Sequence, residues 1–439
     1  VDKTLTARIQ TAWLVLICIL CGGLCFAQNE PLTLKRAVEL AQKKFAPVVI
    51  ADIDQKIAEQ GVEQFKSLFL PQVAVGSGLG YTRGFPLTLE GSAPSLFNLN
   101  SQQTVLNPSL LSFIHAAKSD ARAAAETAEE RKSKIALETA QTYLELVHLQ
   151  SGIQALLALE TAATRVEKVS EDRFKEGVDS KSDYTRAKLI SAKTRLSVAQ
   201  SKGQTDSLRL RLSQLTGIPV EQCVAVATSV PEFPELASGE ESAAKALSSN
   251  RTLRAMQEHN VALDMRAQGE HRALLPTFDF AAQYSVLAKF SHYQDYFLKP
   301  FVRNNMTAGF VIRFPFLNFS QRARAEIADL EAMRSKKETE IAKQQVSSET
   351  LRMKNSVNQL TASRDVAKLE AELATVDTAS FMTKSETGLA TQRELELSRF
   401  TEAQKKSAYY DAEIELSKAR LQLLQATGEL AVWLATAKE

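Results

Sequence analysis

Residues 173–187 read Arg173-Phe174-Lys175-Glu176-Gly177-Val178-Asp179-Ser180-Lys181-Ser182-Asp183-Tyr184-Thr185-Arg186-Ala187. One glycine interrupts a helical pattern, and glycine readily takes the positive φ of a helix C-cap. Ser180 follows three residues later and Asp183 three after that, which is capping-box spacing. The stretch predicts that one helix ends, the chain reverses and a second helix begins. The same signals return 211 residues on, as Gly388, Thr391 and Glu394. An incidental helix glycine would not recur with its capping residues in place.

That offset of 211 also relates Leu210 to Leu421, Leu212 to Leu423, and Thr216-Gly217 to Thr427-Gly428. One offset serving many landmarks indicates an internal duplication. Upstream the offset becomes 205, relating Leu70-Pro71 to Leu275-Pro276 and Ala41 to Ala246. The six extra residues fall between Pro276 and Pro315, so a loop is expected there. All twelve prolines lie outside two windows, Ser109 to Ile218 and Phe316 to Glu439. Both windows are rich in Ala, Leu, Glu, Lys, Gln and Arg, and long helices are the default reading.

Each repeat therefore reads helix, strand, strand, long helix, helix. The first helices, about Leu34 to Leu68 and Glu241 to Ala273, stop before a Leu-Pro pair. After the prolines the period falls to two: Phe278, Phe280, Ala282, Tyr284 and Val286 alternate with Thr277, Asp279, Ala281, Gln283 and Ser285. Met306, Ala308, Phe310, Ile312 and Phe314 repeat this, as do Val73, Val75, Leu79 and Tyr81. The segment Phe97 to Leu106 is harder to orient, because its many polar residues leave the outward face undefined. Of the 30 aromatic residues, 12 lie between Phe278 and Phe319, so large rings gather where the strands are. Either a sandwich core or the aromatic girdles of a lipid-facing barrel would do this. Four strands cannot close a barrel, and an open sheet leaves bare edges; association between copies solves both problems.

Helix lengths point the same way. Ser109 to Glu176 spans 68 residues, about 100 Å at 1.5 Å per residue. The return arm, Asp179 to Thr216, reaches only about 57 Å, and the upstream helix, Leu34 to Leu68, supplies about 52 Å more. Two shorter helices stacked end to end thus run beside one long helix, giving four columns per chain. Such columns pack through apolar seams without a globular core.

The chain has 439 residues, 53 Lys or Arg and 51 Asp or Glu, a formal charge of +2 that excludes a strongly basic nucleic-acid binder. With 44% hydrophobic residues the chain is not disordered as a whole. Lys3 and Arg8 precede an apolar run from Ala12 to Leu20, and small residues lead to Cys25-Phe26-Ala27. This reads as a signal peptide over 1–27, cleaved after Ala27. Lipid attachment at Cys25 ranks second, since Leu24 is larger than such sites usually require. The expected organisation continues with a first repeat over 28–218, with strands near 72–84 and 97–106 and a helical hairpin over 109–216. A linker over 219–240 follows, and then a second repeat over 241–439, with strands near 277–287 and 306–316 and a hairpin over 319–434. The five histidines lack metal-ligand spacing, and Gly76-Ser77-Gly78-Leu79-Gly80 lacks the spacing and lysine of a phosphate loop, so no catalytic, cofactor or metal site is expected.

The turn at 173–187 resembles the helix-tip pattern of the TolC family of outer-membrane efflux and secretion ducts. Leu70-Pro71, Leu275-Pro276, Phe314-Pro315-Phe316-Leu317-Asn318, Thr142-Tyr143-Leu144 and the closing Thr-Gly pairs are also similar to family signatures. The resemblance covers essentially the whole chain after residue 27. It implies a mainly α protein with a small β part: a homotrimer whose helical tube is continuous with a 12-stranded β-barrel, four strands per chain, in outer-membrane lipid. It further implies a passive duct working with an inner-membrane transporter and a periplasmic adaptor (membrane fusion) protein, without nucleic acid. A periplasmic coiled-coil adaptor or scaffold is the alternative, although it would carry one hairpin rather than two in tandem.

By the same resemblance the tips, Gly177 and Gly388, converge on the tube axis, with Ser180 and Thr391 as caps. The acids Asp183 and Glu394 either cap the ascending helices or line the closed end, and both readings can hold together; capping is favoured for Asp183 and the pore for Glu394. Three copies of one carboxylate around an axis repel one another and attract cations. The family's second acid, three residues further on, is here Leu397, and a basic residue two after the tip glycine is here Ala390. Arg173 and Lys384, at equivalent positions of the two repeats, are the expected latch partners.

Overall fold

The computed structural model describes residues 32–77, 95–235, 238–287, 302–315, 317–387 and 389–438. The expected signal peptide, the far part of the first strand, and Gly388 lie outside the described residues. The first repeat contains α1 (Leu34–Lys44), α2 (Ala46–Ser67), β1 (Gln72–Gly76), β2 (Ser95–Leu106), α3 (Pro108–Lys175) and α4 (Lys181–Thr216). The second contains α5 (Gly239–Ser249), α6 (Arg251–Arg272), β3 (Thr277–Leu287), β4 (Asn304–Arg313), α7 (Phe319–Glu386) and α8 (Gln392–Ala426), and a short α9 (Leu430–Ala435) closes the chain.

Three pairs of helices match in length between the two halves. α1 and α5 have 11 residues each, α2 and α6 have 22, and α3 and α7 have 68. The long helices start alike: Asn107 accepts a hydrogen bond from the Leu110 N–H at 3.2 Å, and Asn318 from the Gln321 N–H at 3.1 Å. Such caps satisfy N–H groups that the helix itself cannot.

One expectation needs correction. The first helix of each repeat is two helices, not one. Pro47, in the first turn of α2, has no N–H to donate and restricts the residue before it, and the chain turns extended at Phe45. In the second repeat Asn250 makes the break with φ −65° and ψ 111°, and its side chain accepts from the Leu253 N–H at 2.9 Å. Asn competes with the helix for backbone partners in this way.

α3 packs on α2 and α4 of its own repeat and on α6 and α8 of the other, and α7 packs on α5, α6 and α8. The columns therefore run in the order α1–α2 with α4, then α3, then α5–α6 with α8, then α7. The outer columns keep apolar side chains exposed: Val49, Ile50, Ile53 and Ile57 on α2, Leu189 and Leu196 on α4, and Leu330, Val366, Leu369, Leu373 and Val376 on α7.

The main core is a belt midway along the columns. There Leu34, Val38, Tyr143, Leu146, Leu212, Cys223, Leu421, Leu424, Trp433 and Leu434 are buried together. The inter-repeat segment forms two short 3₁₀ turns, Val220–Gln222 and Ala227–Ser229, and lies on this belt. The Tyr143 hydroxyl donates to the Leu32 carbonyl at 2.7 Å and accepts from the Val226 N–H at 2.8 Å. The Trp433 indole N–H donates to the Glu232 carbonyl at 3.1 Å, and its ring stacks on Phe233.

Candidate functional site

The strands form one antiparallel sheet in the order β1-β2-β3-β4, with β2 and β3 joining the two repeats. The register sets Val73 opposite Ser101, Val75 opposite Leu99, Leu99 opposite Tyr284, Phe97 opposite Val286, Phe280 opposite Phe310, and Tyr284 opposite Met306. Paired residues share a face. One face thus carries Val73, Val75, Phe97, Leu99, Phe280, Tyr284, Met306 and Phe310. The other carries Gln72, Asn98, Asn100, Gln102, Thr104, Asp279, Gln283, Ser285, Asn305 and Thr307. This orients β2, whose alternation alone left its outward face open. Met306 is 74% exposed and Phe310 72%, so in a single chain the apolar face is bare on β4. β1 and β4 are free edges of this sheet.

At the opposite end, each helical hairpin closes through its own backbone. Gly177 has φ +75°, and the Val178 N–H donates to the Arg173 carbonyl at 2.9 Å. In the second hairpin the Leu389 N–H donates to the Lys384 carbonyl at 2.8 Å. Only a residue without a Cβ takes the first geometry without cost. Ser180 and Thr391 occupy the N-caps of α4 and α8, and each accepts from the backbone N–H three residues on, that of Asp183 or Glu394. The Ser180 hydroxyl also donates to the Asp183 carboxylate at 2.7 Å. Glu394 completes a full capping box: its carboxylate accepts from the Thr391 N–H at 2.8 Å and from the Thr391 hydroxyl at 2.9 Å. Both acids thus sit at equivalent capping positions.

Arg173 pairs with Asp179 at 3.0 Å, and Ser170 donates to the same carboxylate. Lys384 lies over the Phe381 ring, 5.5 Å from its centroid. Asp179 went unremarked in the sequence because it sits between the glycine and the cap, in a slot with no helical periodicity. The Phe174–Tyr184 stack across the first turn, with centroids 5.6 Å apart, follows from the same chain reversal. Near this tip the hydrogen bond from Lys175 holds the Glu171 carboxyl below its ordinary range and raises Lys175 in return. Near the second, burial pushes Glu402 up, but hydrogen bonds from Lys406, Thr378 and Thr375 outweigh it and leave the group below its ordinary value.

Residues 48–218 match the family model described as outer membrane efflux protein. No curated protein matches the chain by sequence. Among solved structures, the outer membrane channel CmeC of Campylobacter jejuni superposes with a TM-score of 0.75 at 14% identity, over 92% of this chain and 86% of that one. A membrane protein from Pseudomonas aeruginosa gives 0.74 at 13% identity, over 90% of each chain. The outer membrane protein VceC of Vibrio cholerae gives 0.71 at 15%, over 90% of this chain and 96% of that one. At such identities the likeness is one of fold, and it extends over both repeats. Residues 48–218 are thus similar to the outer membrane efflux proteins, and the chain as a whole has the fold of these outer membrane channels.

Proposed function

We propose that three copies of this chain form an outer-membrane duct of a tripartite efflux or type I secretion system. In this reading twelve strands close a barrel in outer-membrane lipid, and the helical columns form a tube through the periplasm. The duct conducts cargo passively, without catalysis, from an inner-membrane transporter and a periplasmic adaptor to the exterior. The single observation carrying this is an amphipathic sheet with two free edges, fused to columns about 100 Å long whose outer members keep apolar stripes exposed. Lipid suits the apolar face and neighbouring copies suit the edges. A soluble periplasmic adaptor would leave both in water.

Among the described residues no helix is long and apolar enough to cross a membrane. Membrane insertion in this proposal therefore rests on the strands. Gly177 and Gly388 mark the far end of the tube. Ser180 and Asp183 hold the first turn, Thr391 and Glu394 the second, and the Glu394 carboxylates face the narrowed axis with Arg173 and Lys384 nearby. The test is imaging of the detergent-extracted, exported protein. Threefold particles with an axial channel are expected, and a solitary soluble monomer would overturn the reading. Glu394→Gln in a bilayer conductance measurement tests the tip assignment: reduced cation selectivity is expected.

A further inference from the structure

The four strands carry two charged residues among those described, Asp279 on β3 and Arg313 on β4, and these two bond to each other. The Arg313 Nη1 donates to the Asp279 Oδ2 at 2.8 Å. Asp279 stands opposite Val311, and Arg313 opposite Thr277, so the partners are diagonal neighbours on the polar face. The Asp279 side chain is 6% exposed, whereas that of Arg313 is 60% exposed. The guanidinium thus covers the carboxylate and faces the open space beside the sheet. Among the described strand residues everything else on that face is uncharged, including the amides of Gln72, Asn98, Asn100 and Gln102 and the hydroxyls of Thr104, Ser285 and Thr307; Arg303 stands one residue before β4, at the other end of the ladder, where its carbonyl accepts from the Leu287 N–H.

We propose that Asp279 and Arg313 form a charge-cancelling ring at the root of the barrel, which makes that level of the lumen indifferent to the sign of what passes. The ring rests on the duct reading above. Three carboxylates at one level of a pore, if unmasked, make a cation filter, and three unpaired guanidiniums make an anion filter. The pair suppresses both, leaving charge discrimination to the helical end of the tube. The cargo classes that fit are therefore polar or amphipathic solutes of either charge.

The experiment is reversal-potential recording in planar bilayers under a KCl gradient, on the wild type, Arg313→Gln, Asp279→Asn and the double variant. Arg313→Gln is expected to raise the K⁺/Cl⁻ permeability ratio about threefold and Asp279→Asn to lower it by a similar factor, with the double variant returning to wild type. A merely structural pair would shift neither ratio, or both in one direction, and either result overturns the proposal. Migration of each variant as an assembled trimer, with and without heating, confirms that the recorded channels are folded. If the wild type itself forms no channel, the duct reading fails, and the ring with it. If it conducts and the single variants keep its ratio, the ring alone fails.

Discussion

Tyr143 ties three segments that are distant in sequence, since its one hydroxyl meets the Leu32 carbonyl, the Val226 N–H and the Ser229 hydroxyl. Tyr143→Phe keeps the ring but leaves the half-buried Val226 N–H without this partner, so a loss of about 1 kcal/mol is expected. Thermal unfolding measures the loss, and faster hydrogen exchange at Val226 locates it. His148 on α3 carries a pH dependence. Burial pushes its imidazole below the ordinary value, and the nearby Glu413 opposes this without reversing it. The folded chain then binds the proton less well than the unfolded one. Stability is held above pH ~6.5 and lost as pH falls through the lower folded value. His148→Gln is expected to flatten the decline in melting temperature between about pH 7 and pH 5. At this scale the caps were legible, because Ser180, Thr391 and the acids after them act through local spacing. The Arg173–Asp179 pair was not, because it depends on how the turn folds back.

Single elements bring lipid into the account. β4 presents Met306 and Phe310 outward, and Phe310→Arg sets a charge on that face. In a bilayer this costs about 2–4 kcal/mol near the midplane, whereas a soluble sheet would tolerate it at an exposed position. Failure of this variant to assemble into the outer membrane, with its export intact, is the expected outcome of membrane fractionation. Gly428 probes a different element boundary. It has φ +77°, and a Cβ there would stand 2.7 Å from the Ser249 Cβ. Gly428→Ala therefore combines backbone strain with a clash at the α8–α9 turn and should destabilise the belt by about 1–3 kcal/mol in denaturant titration. The β3 and β4 alternation was legible because apolar and polar residues occupy opposite faces of each strand. β2 became readable only through its partner, since Asn98, Asn100 and Gln102 acquire a direction once they are set beside Ser285, Gln283 and Ala281. The breaks at Phe45 and Asn250 differ in origin. Pro47 gave a local signal for the first, and the second has no proline at all.

The described helices form four columns in a row whose two ends are unlike. One end column is formed by α1, α2 and α4, and the other by α7, so the proposed ring closes only when each end meets its opposite on the next copy. Leu369 and Leu373 lie one turn apart on the exposed side of α7. Replacing both with Lys should abolish assembled trimers in native mass spectrometry while leaving the helical circular dichroism of the chain unchanged. The column plan was legible from length alone, because a 100 Å helix requires a neighbour of equal reach. The belt was not, because Trp433 and Phe233 come together through a segment with no periodic pattern.

The paired lengths of 11, 22 and 68 residues in each half have a historical consequence. In the proposed duct, a polypeptide of half this size, holding one hairpin and two strands, would have been one of six around the axis. Fusion of two such genes halves the number of subunits without changing the wall. It also releases the twins from identity, so that one reversal can evolve an aspartate while its sibling keeps a glutamate.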